Sequence, residues 1–206
     1  MLFNASSEKT TDDILDWNEL CAASIRREGN EAQRRLLSGE AMPSYLLKQL
    51  SLGCTQAEMS QHFVECQAEI GLSSILNIVA CTESRIRFDA TRRANKRSDD
   101  LGKALALKFG KASQNWKVPF RDGILDAWKV YARNCISPSP MVDKCVQSIG
   151  DFGRPLDTRH WVAHGRYWNL RWRVDDSAVA NAATASEKLI ESLQQLAQLG
   201  GIATFA

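Results

Sequence analysis

Apolar side chains recur at three- and four-residue steps along nearly the whole chain, the spacing that gathers them on one side of an α-helix. From Asp12 to about Leu37, Ile14, Leu15, Leu20, Ile25, Leu36 and Leu37 are set among Ala, Glu, Gln and Arg, all good helix formers. Gly39 and Pro43 interrupt this pattern, and Ser44 to Leu52 predicts a short helix ending at Gly53. Thr55 and Glu58 form a capping box, so a long helix is expected to begin there, with Met59, Phe63, Cys66 and Ile70 on its apolar side. Ile75, Leu76, Val79 and Ile86 continue it past Gly71, a point at which the helix can kink or divide.

The second half follows the same rule. Ser98-Asp99-Asp100 caps a helix to about Phe109, and residues 110–117 read as a loop. Pro119 suits the first turn of a helix reaching Arg133, with Ile124, Leu125, Trp128 and Tyr131 inward. Ser137-Pro138-Ser139-Pro140 ends it and starts another, striped by Met141, Val142, Cys145, Val146 and Ile149. After Gly150, Gly153 and Pro155, a helix is expected from about Leu156 to Tyr167. Trp168 to Val174 alternates apolar and basic residues, as a short strand or extended segment would. A last helix, Ser177 to Leu199, ends at Gly200-Gly201. The expectation is an all-α helical bundle. Residues 1–53 form an N-terminal helical extension and residues 54–206 the main helical domain, packed together as one unit.

Length agrees with this: 206 residues suit one domain with a substantial core. A formal charge of +2 excludes a generally polycationic chain, yet the basic residues are unevenly placed. Arg85, Arg87, Arg92, Arg93, Lys96 and Arg97 form one concentration, and Arg159, Arg166, Arg171 and Arg173 another. Each run alone reads as a solvated helix face; two of them flanking an Arg/His motif favour a polyanionic partner. The six cysteines contain no C-x-x-C pair and sit mainly in helical patterns, which predicts buried reduced thiols rather than a disulfide framework or zinc site. No uninterrupted run of eighteen apolar residues occurs, and Met1-Leu2-Phe3-Asn4 is not followed by a basic segment and an apolar core. A cytoplasmic location with no membrane partner is the resulting expectation.

The densest chemistry lies in Arg159-His160-Trp161-Val162-Ala163-His164-Gly165-Arg166-Tyr167-Trp168, which holds two of the three histidines. Arginine offers a permanently charged fork that matches phosphate, and histidine titrates near neutral pH. Together they suit binding and cleavage of RNA. An isolated histidine is more often a core residue bonded to a carbonyl, but the arginines around His164 favour the chemical reading. His160 and His164, four apart, could clamp a metal, although no third ligand is evident and His62 belongs to another helix. Trp161 and Trp168, seven apart, can serve core or dimer packing, or base stacking. On a helix, Arg159 and His164 point roughly 140° apart, so two copies of the helix across a twofold axis form a compact site better than one.

The motif Arg159-x4-His164 resembles that of the HEPN superfamily. The ten-residue run, together with Ile124-Leu125-Asp126-Ala127-Trp128 and Glu83-Ser84-Arg85-Ile86-Arg87, is similar to the RiboL-PSP-type HEPN proteins. The resemblance covers roughly Thr55 to Trp172. It implies a HEPN-type bundle, a homodimer, and a metal-independent endoribonuclease without cofactor, serving as a toxin or antiphage effector. In that scheme His164 handles the proton of the attacking 2′-hydroxyl or the leaving 5′-oxygen, and Arg159 stabilises charge on the phosphate. His160 fills the polar second position, where it could orient Arg159 or touch RNA. Glu83 has two readings: an i,i+4 pair with Arg87, or a carboxylate that orients the motif Arg or His from a neighbouring helix. Arg87, Arg92, Arg166, Tyr167 and Trp168 are supporting or RNA-binding candidates. Some relatives carry a modifiable tyrosine two positions after the histidine; here Arg166 stands there and Tyr167 follows, which puts that form of regulation in doubt. An antitoxin or regulatory protein would be a further partner. The alternatives are a catalytically silent module that binds RNA or nucleotide, or acts as a sensor with a partner protein, and a helical DNA-binding regulator, for which no compact helix-turn-helix signal is present.

Overall fold

The computed structural model describes residues 10–42, 47, 53–110, 117–135, 139–165, 177–203 and 205. Every regular element among them is helical, and the protein is all-α. In chain order these are α1 (Thr11–Ser38), α2 (Gln56–Lys96), α3 (Asp100–Phe109), a π-helical segment (Phe120–Leu125), α4 (Asp126–Cys135), α5 (Pro140–Asp151), α6 (Gly153–Ala163) and α7 (Ala178–Leu199). The expected short helix at 44–52 and the extended segment at 168–174 lie outside the described residues, Leu47 excepted.

Local chemistry fixes most of the boundaries. Thr10 and Asp13 close a capping box at α1, and Thr55 and Glu58 close another at α2. Asp99 caps α3 by accepting from the Gly102 amide at 2.7 Å, and Ser139 caps α5 just ahead of Pro140. Gly39 ends α1 with a φ of 70°, a left-handed turn that glycine adopts without strain.

The 41-residue α2 is the axis of the fold, about 60 Å long at the usual rise. It runs through Gly71 without interruption, so that glycine does not divide it. Its N-terminal half packs on α1, where Ser74 donates to Asn18 at 2.9 Å and a small cluster joins Ala32, Leu47 and Met59. Its C-terminal half is covered by α3, α6 and α7. Ile75, Ile78, Val79 and Ile86 enter the main core there with Leu105, Trp128, Phe152, Leu156, Leu189 and Leu193. Ile14 of α1 belongs to that same core, so the N-terminal extension is packed into the bundle.

By length and composition alone α2 could cross a membrane, at a mean hydropathy of 1.2 over its most apolar window. A search for unbroken apolar runs overlooks this because polar residues are interspersed. In that window 28% of the helix is buried inside the bundle.

A buried ion pair pins the C-terminal end. Arg93 bonds Asp89 at 2.6 Å, donates to the Ala203 carbonyl at 2.8 Å and lies over the Trp128 ring. A Cβ on Gly102 would stand 2.8 Å from the Arg93 carbonyl oxygen, so only glycine permits this close approach of α3 to the end of α2. The cysteines depart from the expectation of uniform burial. Cys145 is buried, and loss of solvation pushes its thiol up to about 12, whereas Cys21, Cys54, Cys66 and Cys81 are half-buried free thiols. Cys81 packs against the edge of the main core.

Candidate functional site

α6 is short and carries the motif on its last two turns. It ends at Ala163, four residues before the predicted end at Tyr167. Gly165, at φ 77°, turns left-handed and donates to the Val162 carbonyl at 3.3 Å, which closes the helix. Nothing in the side chains of Arg166, Tyr167 and Trp168 forbids a helix, which is why their sequence predicts a continuation. Glycine's backbone freedom decides otherwise. Arg166, Tyr167 and Trp168 lie outside the described residues.

His164 is the cap residue itself, with its amide still bonded to the His160 carbonyl at 3.0 Å. That bond keeps the two histidines one turn apart, and their rings lie nearly parallel, with centroids 6.2 Å apart and an interplanar angle of 10°. His164 is exposed and His160 half-buried. Burial, with Arg159 and His164 adding to it against the pull of Glu83 and Asp157, holds the His160 imidazole below its ordinary value of 6.5. At neutral pH His160 is thus an uncharged ring able to accept a hydrogen bond.

Arg159 turns back toward α2. Its Nη2 stands 3.8 Å from Glu83 Oε2, and 29% of its side chain is exposed. Glu83 is much less accessible, at 13%, and its Oε1 accepts from Arg87 Nε at 2.8 Å. Glu83 thus pairs with Arg87 through Oε1 and faces Arg159 through Oε2. Oε2 is buried and accepts no hydrogen bond, which makes the long Arg159 contact its nearest compensation. Arg87 is itself clamped: its Nη1 donates to the Val118 carbonyl at 3.0 Å and its guanidinium lies 5.4 Å from the centre of the Phe120 ring.

The π-helical segment anchors the site from the other side. Arg121 donates to the Gly153 carbonyl at 2.9 Å and to Asp157 at 2.7 Å, tying this segment to the first turn of α6. Phe120 meets Phe152 edge to face just before that turn. A Cβ on Gly123 would meet Val118 at 2.5 Å, so the widened turn is packed tightly. Sequence reasoning misses Arg121, Asp157 and Phe120; only their tertiary partners reveal them.

Arg92 is bound to Asp89 at 3.2 Å on the far side of α2, away from Glu83. His62 lies 21 residues before Glu83, about 30 Å along the helix, beside Cys66 Sγ at 3.6 Å. It is not part of the motif site. Among the described residues no group of three His, Cys, Asp or Glu side chains is arranged to hold a metal ion. Comparison with known protein families, curated proteins and solved structures gives no match to this chain.

The arrangement offers a carboxylate shared by two arginines, hence a net positive locus, beside two stacked imidazoles at a helix end. Such a set can bind a phosphate through Arg159 and exchange a proton through a histidine.

Proposed function

We propose that the protein is an endoribonuclease of the HEPN type, in which Arg159 and His164 cleave RNA by internal attack of a 2′-hydroxyl. The observation that carries this reading is the state of Arg159. It is charged and partly exposed, Glu83 faces it at 3.8 Å, too long for a hydrogen bond, and among the described residues no acceptor engages its N–H donors, which can meet a phosphate.

In this mechanism Arg159 neutralises charge as the phosphorus becomes five-coordinate. His164, exposed at the end of α6, takes the 2′-hydroxyl proton or delivers one to the leaving 5′-oxygen. The products are a 2′,3′-cyclic phosphate and a 5′-hydroxyl, and DNA resists because it lacks the attacking group. His160, held neutral, accepts a hydrogen bond from RNA or helps orient Arg159. Because Arg159 is drawn to α2 while His164 sits one turn beyond, the reading includes a homodimer whose two α6 ends complete one site. A cytoplasmic setting, an antitoxin or other restraining protein, and a role as toxin or antiphage effector belong to the same proposal.

The test is incubation of purified wild type and of His164→Ala with total RNA. Cleavage by the wild type alone supports the assignment, and equal cleavage by both removes it.

A further inference from the structure

Phe88 projects from the C-terminal part of α2 with 67% of its surface exposed, although the neighbouring positions Ile86, Asp89 and Ala90 are buried. A single exposed aromatic is unremarkable by itself. Its surroundings give it meaning. Arg85, three residues before, and Arg92, four after, share its side of the helix, and Lys96, eight after, lies at the edge of that side near the helix end. The exposed side chains of Arg85, Lys96 and Arg97 form no ion pair or hydrogen bond among the described residues. Between Ser84 and Arg97 the one carboxylate is Asp89, which is 0% exposed and turned inward to Arg92 and Arg93. The outer face of this stretch is therefore uniformly basic around one aromatic ring.

We infer that this face is a binding platform for single-stranded RNA, with a base stacked on Phe88 and phosphates held by Arg85, Arg92 and Lys96. The ring supplies a sequence-tolerant π-surface and the cations track a backbone, the combination by which single strands are held without base readout. A second copy of the chain is a poor occupant, because a twofold contact here would set like charges against each other. The choice of RNA as the polyanion rests on the ribonuclease proposal above. Phe88 lies about 140° around α2 from Glu83 and about 7.5 Å along it, so the platform is separate from the cleavage centre. A strand joining the two must cross the flank of the helix, about 10 Å, which several nucleotides span. The platform thus sets affinity for the strand and leaves the chemical step to Arg159 and His164.

The experiment is fluorescence anisotropy with a labelled 2′-O-methyl RNA of about 12 nucleotides, which cannot undergo internal attack and falls within the usual range of single-strand site sizes. Phe88→Ala should raise Kd about tenfold, and Phe88→Trp should restore binding. Replacing Arg85 and Lys96 by Gln should lower the salt slope by roughly 0.7 for each phosphate that is no longer neutralised. With cleavable RNA, Phe88→Ala should raise KM and spare kcat. A Kd for Phe88→Ala within twofold of wild type would overturn the inference. So would an unchanged Kd accompanied by loss of dimer or of binding to anionic phosphatidylserine vesicles, since the face would then serve a protein or a membrane. Probe binding that depends on Phe88 in a protein that cuts no RNA would sink the ribonuclease proposal and leave the platform standing. Cleavage with Kd and KM both indifferent to Phe88 would do the reverse.

Discussion

Glu83 divides its carboxylate between two arginines, with Oε1 in a 2.8 Å bond to Arg87 and Oε2 buried, unbonded and 3.8 Å from Arg159. The first contact fixes the carboxylate; the second draws the motif arginine toward it without consuming its donors. Glu83→Gln keeps an acceptor for Arg87 but removes the charge that attracts Arg159. Cleavage should fall roughly tenfold, equivalent to about 1.4 kcal/mol of transition-state stabilisation. Glu83→Ala should also cost about 1–3 kcal/mol of folding stability by stripping Arg87 of its partner. Steady-state kinetics and urea titration measure the two effects, and a fully active Gln variant would show that Arg159 needs no guide.

Arg159→Lys separates charge from shape. An ammonium retains the cation but loses the planar fork, so most of the activity lost in Arg159→Ala should remain lost. Thermal melting should show both variants folded, since among the described residues Arg159 makes no ion pair or hydrogen bond shorter than the 3.8 Å Glu83 contact. Wild-type rates for the lysine variant would mean that phosphate geometry is irrelevant.

His160 supplies a pH dependence whose sign can be worked out. Its folded value lies below 6.5, so between the two values the unfolded chain binds the extra proton. Its contribution is complete above about pH 6.5 and declines as acid protonates the ring. His160→Gln should therefore lose less stability than wild type between about pH 7 and pH 5, read as the shift in urea midpoint. Identical shifts in the two proteins would contradict the burial of this ring.

Much of the fold could be read along the chain because its determinants are local. Thr55 and Glu58 cap α2, Asp99 caps α3 and Ser139 caps α5, and each lies within three residues of its partner. What escaped depends on distant contacts or on backbone freedom. The π-helical segment forms where Gly123 packs on Val118 and Arg121 reaches Asp157, 36 residues away. The end of α6 turns on Gly165, whose left-handed conformation no side-chain pattern announces. For Glu83, spacing reveals the Arg87 partner four residues on, whereas Arg159 lies in another helix. Phe88 draws no notice because an exposed apolar residue within a helical pattern looks like one more core position until burial is known.

The shared-site proposal ties activity to assembly. Sedimentation should find a dimer, and specific activity should fall on dilution in step with its population. Activity per chain that stays constant in a demonstrable monomer would place the whole site in one subunit.

The most direct measurement is to incubate the purified protein with a defined RNA in excess EDTA and determine the chemistry of the new ends. An unchanged rate and 2′,3′-cyclic phosphate ends are expected, because Arg159 supplies the charge and His164 the proton transfer. Complete loss of cleavage on chelation, restored by a divalent transition metal, with linear phosphate ends from water attack, would contradict it and make the stacked His160 and His164 metal ligands.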